Sequence, residues 1–176
     1  MKTVFVVGFM GAGKSTVGRA LAARLGWRFV DLDDEIEAAE GAKISDIFAG
    51  RGEAEFRRVE TEALRRLLNS ADGTVIALGG GAFTIESNRE LLRDQVTIWL
   101  DCPFDLVQRR VAQFTHRPLA RDPERFAALY ESRREHYAKA THRIPITSDD
   151  PDVAVAQAFG LLCPEESGHS SGGRSA

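Results

Sequence analysis

Gly8-Phe9-Met10-Gly11-Ala12-Gly13-Lys14-Ser15 lies between a short apolar run, Val4-Phe5-Val6-Val7, and a segment from Lys14 to Leu25 that carries apolar residues at helical spacing (Val17, Leu21, Leu25) and ends at Gly26. The order is strand, loop, helix. The eight residues fit G-x-x-x-x-G-K-[ST] at every fixed position, in the context that this motif requires. Glycines let backbone N–H groups turn inward around phosphate oxygens. The helix N-terminus adds partial positive charge. Lys14 is placed to reach the β- and γ-phosphates, and the Ser15 hydroxyl to ligate Mg²⁺. Gly11, Ala12, Gly13, Lys14, Ser15 and Thr16 are therefore the candidate ATP-binding residues. A dinucleotide fold would use Asp31 or Asp33, about 20 residues on. It fails because Thr16 stands where its last glycine belongs and because Lys14-Ser15 would have no role.

Outward from this loop, strand-like and helix-like stretches alternate. Strands are expected at Val4–Val7, Arg28–Leu32, Thr74–Leu78, Val96–Leu100 and Arg143–Ile146. Helices are expected at Lys14–Leu25, Glu35–Glu40, Ser45–Phe48, Glu53–Leu68, about Glu86–Leu92, Phe104–Val111, Pro123 to about Ala140, and Asp152–Leu162. Asp122-Pro123-Glu124 is a helix start, with a capping carboxylate and proline at the first position. Such alternation implies an α/β fold, a parallel sheet of five strands with helices on both faces. Ligands then bind at the carboxyl ends of the strands. Residues 1–162 read as one domain, and 163–176, Ser- and Gly-rich from Ser167, as a disordered tail.

Composition narrows the function. The chain has 176 residues, 43% hydrophobic and 28% charged, with a net charge of −3. That balance argues against a broad nucleic-acid or membrane surface, both of which reward a basic excess. Cys102 and Cys163 form no metal or redox spacing and read as reduced thiols. Lys14 and Arg19 interrupt the N-terminal apolar run before it can act as a signal peptide, and no run is long enough to span a membrane. A cytoplasmic monomer is expected. The chain has no guanine-reading Asn-Lys-x-Asp, and a small-molecule kinase suits its size better than a motor ATPase.

Two places offer a carboxylate for the metal. Val96 to Asp101 looks like a strand ending in a metal-binding acid, yet Asp31 ends the second strand. On that strand Phe29, Asp31 and Asp33 share one side by alternation. One carboxylate would then serve the metal's water shell and the other the acceptor hydroxyl; alternatively both cap the next helix. The arginines sort by helical geometry. Arg57 lines up with Leu64 and Leu68 and borders the buried stripe, whereas Arg58 joins Glu62 and Arg65 on a solvated face. Arg133 lines up with Phe126, Tyr130 and Tyr137, and Arg134 with Glu131. An arginine on an apolar stripe needs an anionic partner, from the protein or from a ligand.

The phosphate loop, Asp31-Leu32-Asp33, Ile44-Ser45-Asp46-Ile47-Phe48, Gly52-Glu53-Ala54-Glu55-Phe56-Arg57, Leu78-Gly79-Gly80-Gly81 and Arg117-Pro118-Leu119, in that order, resemble shikimate kinase over Val4 to Ala158. The resemblance implies a P-loop fold like that of nucleoside monophosphate kinases, with a mobile lid at residues 113–121 and a substrate region at residues 33–62. It also implies Mg²⁺-dependent transfer of a phosphoryl group from ATP to the 3-hydroxyl of shikimate, a step of aromatic amino acid biosynthesis. Asp31 would act with Ser15 around Mg²⁺, through water. Asp33 would bind the hydroxyl and serve as base, kept ionised by Arg57. Arg57 and Arg133 would clamp the shikimate carboxylate, and Gly79, Gly80 and Gly81 would offer close backbone approach. Phe48 and Phe56 would wall the pocket. Arg117 would reach the γ-phosphate, and Arg110 would stack on adenine beside the loop near Pro151. The chain departs from the family pattern at His136 and Ala120. A sister kinase for another cyclitol acid, or a nucleotide-binding protein without catalysis, are the remaining readings.

Overall fold

The computed structural model describes residues 3–70, 72–113 and 122–164. Arg117 and most of the expected lid, and the tail from residue 165, lie outside the described residues. Five strands, β1 (Val4–Val7), β2 (Arg28–Asp31), β3 (Thr74–Ala77), β4 (Val96–Asp101) and β5 (His142–Pro145), pair in parallel in the order β2-β3-β1-β4-β5. The central strands β1 and β3 are buried along their whole length, as their unbroken apolar sequences require when helices cover both faces. The helices are α1 (Lys14–Leu25), α2 (Leu32–Glu40), α3 (Ile44–Ser70), α4 (Glu86–Leu91), α5 (Phe104–Ala112), α6 (Pro123–Tyr137) and α7 (Pro151–Leu162). A 3₁₀ turn, Ala82–Thr84, joins β3 to α4. No described helix is long and apolar enough to cross a membrane.

Three expectations are corrected. Strand β2 stops at Asp31, and Leu32 already belongs to α2, so Asp33 stands on a helix and not on the strand face of Phe29. Asp31 caps that helix by accepting from the Asp33 N–H at 3.0 Å. The expected helices at Ser45–Phe48 and Glu53–Leu68 are arms of α3, which breaks at Gly52 with φ 84° and ψ 171°. Phe48 and Phe56 meet across the break, their ring centroids 4.5 Å apart.

Arg134 is the third. It does not stay with Glu131 in solvent but turns to the buried Asp101, which it grips with both terminal nitrogens. Arg143 holds the same carboxylate, with Nη2 at 2.6 Å, and both guanidinium groups lie over Trp99. Asp101 is thus committed to binding α6 and β5 together, whatever its likeness to a metal acid.

Candidate active site

The phosphate loop follows β1 with positive φ at Gly8, Gly11 and Gly13, a path that side chains with a Cβ rarely take. The loop therefore opens its amides at the N-terminus of α1. Lys14 reaches back across it and donates to the Phe9 carbonyl at 2.9 Å. Ser15 donates to Asp31 Oδ2 at 2.6 Å, which joins the motif serine to the carboxyl end of β2.

A cavity of about 360 Å³ opens beside the loop. Gly11, Ala12, Gly13 and Thr16 line one side, and Ser148, Asp149 and Pro151 the other. Arg110 spans it: its Nη1 donates to the Gly11 carbonyl at 3.0 Å, and its Nη2 lies 3.3 Å from Asp149 Oδ1.

The second half of the site is built around the three glycines after β3. A Cβ at Gly79 would stand 2.8 Å from Asp33 Oδ1. One at Gly80 would stand 3.3 Å from Arg133 Nη1. One at Gly81 would stand 2.8 Å from Arg57 Nη1 and closer still to Nη2. Each glycine thus faces one of the three charged side chains singled out from sequence, and brings backbone against it. Tyr137 fixes the turn by donating to the Gly80 carbonyl. Burial pushes its phenol up to about 12, so the proton stays on. Gly81→Ala should fold, because φ −92° suits any residue, but must displace the Arg57 guanidinium. If Arg57 binds an anionic acceptor, we expect the acceptor's KM to rise by about tenfold, the value of one charge-assisted contact, with the nucleotide KM unchanged in a steady-state assay.

The structure also shows what the sequence reading missed. Arg57 donates to Glu60 Oε1 at 2.7 Å, and Glu60 is 1% exposed. Burial raises the Glu60 pKa, against the pull of Arg57. A carboxylate three residues after an arginine on an apolar stripe was the available signal. The expectation that Arg57 keeps Asp33 ionised does not hold. Burial, then repulsion from Asp31, raise the Asp33 pKa to about 6, and Lys14 is the cation that opposes them. Among the described residues Arg133 makes no salt bridge; it lies beside Phe9, 5.8 Å from the ring centroid. Phe56 is buried, and Phe48 stands half-exposed at the rim.

Phosphate loop, triple glycine and paired arginines thus meet at the carboxyl edge of one sheet. A sequence profile described as shikimate kinase matches residues 10–161. The chain belongs to the shikimate kinase family. It is 40% identical over 163 residues to the shikimate kinase of Persephonella marina, covering 92% of this chain and 99% of that one. It is 43% identical over 166 residues to the shikimate kinase of Geobacter metallireducens, covering 92% of each. In structure it is similar to the shikimate kinase of Acinetobacter baumannii, solved in complex with shikimate, with a TM-score of 0.87, 34% identity and 96% of both chains covered. As a member of the shikimate kinase family the chain is an ATP-dependent kinase.

Proposed function

We propose that this chain transfers the γ-phosphoryl group of ATP to the 3-hydroxyl of shikimate, giving shikimate 3-phosphate and ADP. The observation that carries the reading is the pairing of Gly79, Gly80 and Gly81 with Asp33, Arg133 and Arg57. It brings to one turn a carboxylate that can face a hydroxyl and two guanidinium groups that can face a carboxylate.

Phosphoryl transfer asks the protein for position and charge more than for covalent chemistry. In this reading the loop from Gly11 to Thr16 cradles the phosphates, Lys14 leaves the Phe9 carbonyl for the β/γ oxygens, and Arg110 flanks the base. Ser15 Oγ and the Asp31 carboxylate are hard oxygen donors, held 2.6 Å apart. They suit Mg²⁺, which takes one or two protein oxygens and fills its octahedron with water and phosphate. The ion would neutralise phosphate charge. Asp33 orients the acceptor hydroxyl and takes its proton. Arg117 completes the reading from the lid, outside the described residues.

The carboxylate clamp tests this against other acceptors. Arginine gives a carboxylate two parallel, charge-assisted hydrogen bonds, each contributing about 1.5–3 kcal/mol. Shikimate methyl ester keeps every hydroxyl and loses the charge, so its kcat/KM should fall at least about tenfold below that of the acid. Arg133→Ala should weaken shikimate about ten- to hundredfold, leave ATP affinity alone and discriminate less between acid and ester. Arg57→Ala should do the same but also lower Tm, because it strands buried Glu60. Equal kcat/KM for acid and ester in the wild type would rule out a carboxylated cyclitol as the substrate.

A further inference from the structure

Asn88 is 0% exposed, in the first turns of α4, and no step of the phosphoryl transfer uses it. Its amide nitrogen donates to the Ala82 carbonyl at 2.9 Å, immediately after the triple glycine. Its amide oxygen accepts from the Thr61 hydroxyl at 2.7 Å. Thr61 lies one turn beyond Arg57 on α3 and next to Glu60. A wholly buried amide is thereby satisfied by joining two elements: the helix that carries Arg57, and the turn whose Gly81 abuts Arg57. Two more bonds stiffen the turn side. Thr84 Oγ1 donates to the Gly81 carbonyl at 2.6 Å, and Arg89 to the Phe83 carbonyl at 2.8 Å.

A guanidinium this close to a backbone turn tolerates little drift, since parallel bonds to a carboxylate demand a fixed direction. We infer that the Thr61–Asn88 pair is a positioning device for substrate selection: it sets the separation of α3 from the glycine turn, and so aims Arg57 at the shikimate carboxylate. The inference rests on the clamp reading above and adds to it the residues that set the clamp's geometry. Neither residue touches substrate in this account, and neither belongs to the nucleotide side of the site, so the effect is confined to one part of one substrate.

Thr61→Val keeps the shape and removes the hydroxyl, on a helix held by many other contacts. It should raise shikimate KM about three- to tenfold, as expected when a hydrogen bond to a buried amide is lost and that amide left unsatisfied. kcat at saturation and ATP KM should stay within about twofold. Shikimate methyl ester, without the carboxylate that Arg57 meets, should lose little or nothing in kcat/KM. Thr61→Ser, which keeps the hydroxyl, should restore the wild-type values. Asn88→Leu should reproduce the shikimate effect if it folds, and adding Thr61→Val to it should cost little more, because one bond joins the pair. A merely structural role predicts a lower Tm with unchanged KM, or equal losses for acid and ester; either result overturns the inference. A wild type that does not distinguish acid from ester removes the clamp itself. That outcome is read before any variant is made, so the two failures stay separate.

Discussion

Asp33→Asn should lower kcat by about 10²–10⁴-fold, the usual contribution of a positioned base, while the protein becomes more stable. The side chain keeps its shape beside Gly79 and loses the charge that the proposed reading aims at the acceptor hydroxyl. Nucleotide should still bind with Mg²⁺, measured by calorimetry, because Ser15 and Asp31 remain. Collapse of that binding would make Asp33 a metal ligand and undo its division of labour with Asp31. The stability gain follows from linkage. The carboxyl titrates at 3.8 in the unfolded chain and about 6 in the folded one, so the folded state holds the proton more tightly. Its stabilising effect is complete below pH 3.8 and is lost as pH rises through about 6. Asparagine does not titrate. The variant should therefore show no gain at pH 3.5 and its full gain above pH 7, at most about 3 kcal/mol, or several degrees in Tm. In the wild type, kcat/KM for shikimate should fall on the acid side as the base takes up its proton.

Lys14→Ala should cut kcat by about 10²–10³-fold or more, the cost of removing one fixed charge from a developing transition state. The fold should survive. Lys14 opens α1, alanine is the best helix former, and the truncation removes a part-buried bond to the Phe9 carbonyl. Circular dichroism and Tm close to wild type, with turnover nearly gone, is the expected pair of results. Near-normal turnover in the folded variant would remove Lys14 from the chemistry.

What the sequence discloses depends on how local the signal is. The phosphate loop is legible because all its determinants fall within eight residues and the neighbouring strand and helix are strongly patterned. Strand β2 misleads for a related reason: Leu32 extends the apolar run, so the alternating pattern runs on through Asp33. Yet Asp31 followed by Asp33, Asp34 and Glu35 is also a helix start, with acids in the first turn, and that signal wins in the structure. Periodicity places Arg57 and Arg133 at the buried faces, but it cannot choose between Glu131 and Asp101 for Arg134, since the choice belongs to strand β4 packed across from α6. Asn88 was invisible. It is a polar residue in a six-residue helix whose meaning comes wholly from Thr61 and Ala82.

At position 52, contact and constraint part company. Gly52 is exposed, and a Cβ built there would meet nothing within 4 Å. By neighbours alone it is the most replaceable kind of position. Its backbone angles, however, lie in a region that only glycine occupies without strain, at a cost on the order of 1–3 kcal/mol for any other residue. An alanine there would collide with nothing, yet it would strain the break across which Phe48 meets Phe56. Tolerance to substitution along this segment is therefore governed by a torsion angle that leaves no trace in a contact map.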